Sequence, residues 1–149
     1  MHPQHRRVIR ATAVIGAGLM AGVDEIVFHQ LLAWHHFYDR ATPTVGLFAD
    51  GLLHAAELFA LVAGFFLLAA ARRHGRVDRW AAWGGLLIGA GAFQMFDGLV
   101  DHKLLRVHQI RYGVDNLFVY DLTWVLGGAL LLVVGLLLVR RSREPGPSA

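Results

Sequence analysis

The chain has 149 residues, of which 56% are hydrophobic, 17% charged and none Cys, with a mean hydropathy of +0.48. A soluble domain carries about 25% charged residues, so disorder and an ordinary water-soluble globule are both excluded. The lack of Cys excludes disulfide scaffolds, thiolate catalysis and thiolate-ligated metal sites. A net charge of +3 and nine His remain to be explained by position.

Four apolar stretches follow one another, at about residues 8–32, 46–71, 80–104 and 118–139. Each is near the ~20 residues that a helix needs to cross a ~30 Å hydrocarbon core. The first is uncharged from residue 11 to 23 and then meets Asp24 and Glu25. The second carries Asp50, His54 and Glu57 before its apolar run, the third is uncharged until Asp97, and the fourth has no ionisable residue from 122 to 139. Residues 140–149, with Pro145 and Pro147, read as a short disordered tail.

The basic residues orient these spans. Arg6, Arg7 and Arg10 precede the first, Arg72, Arg73, Arg76 and Arg79 fill the second connection, and Arg140, Arg141 and Arg143 follow the fourth. These ten stand against only Asp78 and Glu144, which leaves +8 on that side and −5 on the other. By the positive-inside rule the protein is expected to be multi-pass in an inner (plasma) membrane, with both termini cytoplasmic. The net positive charge is then a topology signal, and no nucleic-acid partner is expected. Arg106 and Arg111, with Tyr112 and Trp34, read as headgroup anchors at the outer interface.

An internal repeat runs at an offset of 73. Ile15-Gly16-Ala17-Gly18 matches Ile88-Gly89-Ala90-Gly91, Asp24 matches Asp97, His29 matches His102, Leu31-Leu32 match Leu104-Leu105, and His35 matches His108. A cleaved leader would not be duplicated inside the mature fold, so the first span is expected to be retained. The expected architecture is all-α: one membrane domain, a four-helix bundle built from a duplicated hairpin with halves at about 8–71 and 80–139. The small residues of I-G-A-G allow close helix approach.

Carboxylates near hydrocarbon cost roughly 2.5–3.5 kcal/mol each, so their recurrence at matched positions points to a shared interior site. On a continuous α-helix, Asp24 and His35 would share a face but stand about 16 Å apart along the axis, and His29 would lie about 140° round from Asp24. Glu25 lies one turn from His29, Asp101 adjoins His102, and Asp50, His54 and Glu57 share one face of the second span. The candidate metal ligands are therefore His29, His54, His102, His35, His108, Asp50, Asp97 and Asp101, with Asp24, Glu25 and Glu57 as supporting or proton-relay groups. His2, His5, His36 and His74 are given no role. Imidazole and carboxylate without thiolate suit copper or zinc, and also iron, near the outer face.

The segments V23-D-E-I-V-F-H-Q-L-L-A-W-H-H36, D50-G-L-L-H54 and D97-G-L-V-D-H-K-L-L-R-V-H108 resemble those of a family of bacterial integral membrane proteins known only as a domain of unknown function. Some members of that family are fused to a domain resembling cytochrome oxidase assembly factors. The resemblance implies copper handling or respiratory-enzyme maturation, with a respiratory-complex or metal-delivery partner. Members often carry Gly after the first Asp and a second His after the last, where this chain has Glu25 and Gln109. Three function classes follow: metal handling at a His/carboxylate site, a metal-dependent membrane oxidoreductase, and a metal-free structural or proton-relay bundle. Beyond the lipid bilayer, a second copy of the chain is a compatible partner.

Overall fold

A computed structural model describes residues 3–142. Helix α1 (Pro3–Val23) runs directly into a π-helical segment, Asp24–Leu31, and α3 (Arg79–Phe96) runs into a second, Asp97–Leu105. The other two helices are α2 (Pro43–Arg73) and α4 (Leu117–Arg141). No strand occurs among the described residues. Most of the expected C-terminal tail, from residue 143 on, and His2 lie outside them, while Arg140 and Arg141 form the last turn of α4 rather than tail.

Local chemistry sets the helix starts. Pro43 opens α2, where its missing N–H would be unpaired in any case. Asp78 caps α3 by accepting the Ala81 N–H at 2.8 Å. At the basic end of the molecule, Trp80 lies between the guanidinium groups of Arg79 and Arg141, 4.7 and 4.1 Å from its ring. Such aromatic and basic residues suit a membrane–water interface.

Among the described residues, three helices are long and apolar enough to cross a membrane: Pro3–Leu31, Pro43–Arg73 and Leu117–Arg141. The expected third span is not among them. Its helix, α3, is rich in Gly and carries Gln94, because protein rather than lipid covers much of it. The principal packing runs in the order α2–α1–α3–α4, with α1 and α3 at the centre. The flanking helices turn Phe59, Phe66, Leu130 and Leu137 outward. Outward-facing apolar side chains of this kind are in keeping with lipid contact.

Small residues bring the central pair together. A Cβ on Gly16 would overlap the carbonyl oxygen of Leu86, and one on Gly89 would overlap that of Ala13. Each contact is the other displaced by 73 residues. The outer seams match likewise: a Cβ on Gly64 would lie 3.0 Å from Ile15 N and 3.3 Å from Ala11 O, and one on Gly135 would lie 2.8 Å from both Ile88 N and Gly84 O. Gly64 and Gly135 are 71 apart, two fewer than the offset of the central pair.

The two π segments also end alike. Ala33 and Arg106, 73 apart, take left-handed backbone conformations with φ of 47° and 52°. Trp34 N–H then donates to Phe28 O at 2.9 Å, and Val107 N–H to Asp101 O at 3.0 Å. These bonds reach back six residues, one more than in the usual Schellman closure, as expected of a widened helix. The chain reverses at both places. The helical stretch therefore stops at Leu31, and the continuous α-helix expected through His35 is not formed.

Candidate metal centre

The reversal brings together residues that a straight helix would hold apart. π-Helical bonding, i→i+5, sets His29 beside Asp24, with Nε2 3.6 Å from Asp24 Oδ2, and His102 beside Asp97 at 3.2 Å. The D-x4-H spacing is this five-residue interval. After the turn, His35 returns over His29, their ring centroids 4.5 Å apart, and His108 over His102 at 4.6 Å. The expected 16 Å separation of Asp24 from His35 is thus overturned: Asp24, His29 and His35 present ligand atoms within 4.8 Å of one another.

Across the molecule the two halves interlock. His35 and His108 stack, with centroids 4.7 Å apart and planes 4° from parallel. His35 Nδ1 donates to Ile110 O at 2.8 Å and His108 Nδ1 to Phe37 O at 2.9 Å, each in the other half's loop. A carbonyl only accepts, so both Nδ1 atoms carry the proton and both Nε2 atoms present lone pairs. His29 has the same tautomer for a different reason. Its Nδ1 donates to Asp50 Oδ1 at 3.1 Å, and Glu25 Oε2 lies 2.8 Å away.

All four rings are buried, and the Nε2 atoms of His29, His35, His102 and His108 lack hydrogen-bond partners. The lone pairs of His29, His35 and His108 cannot satisfy one another, and an unpaired buried polar atom costs about 1–3 kcal/mol. Burial, followed by the three neighbouring imidazoles, pushes the protonation of His35 down to about 2. That ring is therefore neutral at ordinary pH, the form that binds metal.

Outside the four rings, Asp97 accepts the Trp124 Nε1–H at 2.9 Å, and its Oδ1 lies 3.4 Å from His108 Nε2. Asp50 accepts from His29, from Phe37 N–H at 2.7 Å and from His36 Nδ1 at 2.6 Å. Asp50 therefore stands behind His29 rather than among the Nε2 atoms. Glu25, His29 and Asp50 form a separate close group on the Nδ1 side.

Three expected participants stand apart. His54 has a side chain 49% exposed and pairs with Glu57 at 2.7 Å. Neither of these residues enters a close group of donor atoms, and nor do buried Asp101 and Asp97, but Asp97 alone of the four reaches two imidazoles of the centre, His102 through Oδ2 and His108 through Oδ1. On α2 the i, i+3 spacing joins His54 to Glu57, whose buried carboxylate packs against Gly22 of α1. His36 and Trp124, given no site role from the sequence, do touch the centre's carboxylates. His36 has no repeat mate to mark it, and an aromatic residue near a membrane interface carries no site signal.

Among comparisons with known proteins, neither the curated proteins nor the solved structures contain a match to this chain. A family model does match it, over residues 11–142, and its description is Predicted membrane protein (DUF2243). The chain belongs to this family, whose function is unknown.

Proposed function

We propose that the protein is an integral membrane metal-binding protein, with a centre formed by His29, His35, His102 and His108 together with Asp24 and Asp97. One observation carries the reading: four buried imidazoles, packed ring against ring, carry unpartnered Nε2 atoms beside two buried carboxylates. A neutral imidazole whose Nδ1–H is held by a carbonyl or carboxylate is the usual form of a metal-ligating His. The donor set suits copper or zinc, in metal handling or the maturation of a respiratory enzyme. The matched contacts at offsets of 73 and 71 support a duplicated hairpin as the scaffold, and the charge asymmetry supports a centre facing outward.

Elemental analysis of the detergent-purified protein tests this reading. Stoichiometric copper or zinc is expected, lost in the His29→Ala/His102→Ala double variant. Protein that neither retains nor takes up metal would overturn it. A second reading, proton transfer without metal, is favoured by the chain of contacts from His29 through Asp50 to His36, whose side chain is 34% exposed. Proton flux through proteoliposomes of metal-free protein, abolished by Asp50→Asn, would support it.

A further inference from the structure

The centre contains two triads at corresponding positions: Asp24, His29 and His35, whose donor atoms lie within 4.8 Å of one another, and Asp97, His102 and His108, in which Asp97 reaches the two imidazoles through different oxygens. We infer that it binds two transition-metal ions, one in each triad. The inference rests on the metal-centre reading above and concerns how many ions that centre holds.

Ring orientation decides between one ion and two. The lone pair of an imidazole nitrogen lies in the ring plane, so an ion bound by two imidazoles lies in both planes. The stacked, parallel planes of His35 and His108 do not intersect at any ion. Nor do these rings face each other across one: with metal–nitrogen bonds of ~2.0–2.1 Å their centroids would then be roughly 6 Å apart, against the observed 4.7 Å. His35 and His108 therefore serve different ions.

Within each half the planes do converge. His29 and His35 are inclined at 70°, and His102 and His108 at 79°. The carboxylates stand at matching distances. Asp97 Oδ2 is 3.2 Å from His102 Nε2, Asp97 Oδ1 is 3.4 Å from His108 Nε2, and Asp24 Oδ2 is 3.6 Å from His29 Nε2. Two ligands on one ion at ~2.0–2.1 Å stand roughly 3 Å apart, so a small inward movement closes each triad. His35, His102 and His108 also lie within 4.8 Å of one another, but that group contains the parallel pair and is the rival single-ion arrangement.

The two sites are not equivalent. His29 Nδ1 is backed by Asp50 and Glu25, whereas His102 Nδ1 is buried without a hydrogen-bond partner. A carboxylate behind a ligating imidazole raises its basicity, and losing such a partner typically costs 10–100-fold in affinity. The Asp24 triad should fill first.

The test is Cu(II) titration of the full-length protein in detergent, followed by electron paramagnetic resonance. Two equivalents per chain, taken up in two steps and giving a spin-coupled signal, are expected. Asp97→Asn should leave one equivalent and an uncoupled signal, and the unmodified protein's own spectrum decides the matter if that variant does not fold. One equivalent, or two without coupling, would overturn the paired centre while leaving metal binding intact. No uptake at all would overturn the metal reading with it.

Discussion

Asp50 joins His29, His36 and the Phe37 N–H, so one side chain fixes the His29 tautomer and ties the 32–42 loop to α2. Asp121, 71 residues further on, has its Oδ2 paired with Lys103 rather than with an imidazole. An amide oxygen in place of the Asp50 carboxylate still accepts the His29 Nδ1–H, but without the negative charge that raises imidazole basicity. Asp50→Asn is therefore expected to weaken the first metal-binding step about 10-fold and to leave the second unchanged. Chelator competition on the variant and the parent checks this; equal losses in both steps would mean that Asp50 acts on the fold as a whole.

At the scale of elements, the close approach of α1 and α3 makes a sharp contrast between glycines. Gly16→Ala drives a methyl group into the Leu86 backbone, which cannot move as a side-chain tip can. Overpacking of this kind costs about 1–3 kcal/mol. Gly51, also helical, has nothing within 4 Å of an added Cβ, so Gly51→Ala should gain up to about 1 kcal/mol from helix propensity alone. Thermal unfolding in detergent should lower the midpoint for the first variant and hold or raise it for the second. The small residues of this seam were legible, since I-G-A-G occurs twice and small residues mark helix contacts in membranes. The π segments are less legible, although D-x4-H recurs at the interval that π-bonding aligns. An α-helical period of 3.6 carried through His35 predicts His29 on another face from Asp24 and His35 out of reach, and the π geometry reverses both. The left-handed turns gave no residue-level sign, because Ala33 and Arg106 are not residues that favour positive φ. The grouping of His54 with the ligands rests on shared depth, and depth along α2 does not say which neighbour the side chain meets.

For the whole molecule, the paired reversals after Leu31 and Leu105 place every member of the centre at one end, where α1 and α3 finish and α2 and α4 begin. The opposite end holds the Arg72, Arg73, Arg76 and Arg79 connection, with Trp80 between Arg79 and Arg141. With the centre at the acidic end and a basic opposite end, orientation bears on the proposed function, because the side that faces the centre would determine where metal is exchanged. Cytoplasmic loops retain Lys and Arg, while Asp and Glu contribute little to orientation, so the Arg-rich connection should remain inside and the 32–42 and 106–116 loops should face out. A C-terminal phosphatase reporter, active only after export, should then be silent, and the same reporter inserted after Gly113 should be active. Gly113 suits the insertion because it has a positive φ of 69° in an open loop, with nothing within 4 Å of an added Cβ. The reverse pattern would turn the metal centre toward the cytoplasm and make it a site for taking ions from, or delivering them to, that side. Activity at both positions would show that the chain inserts both ways, and metal exchange would then have to be measured separately in oriented vesicles.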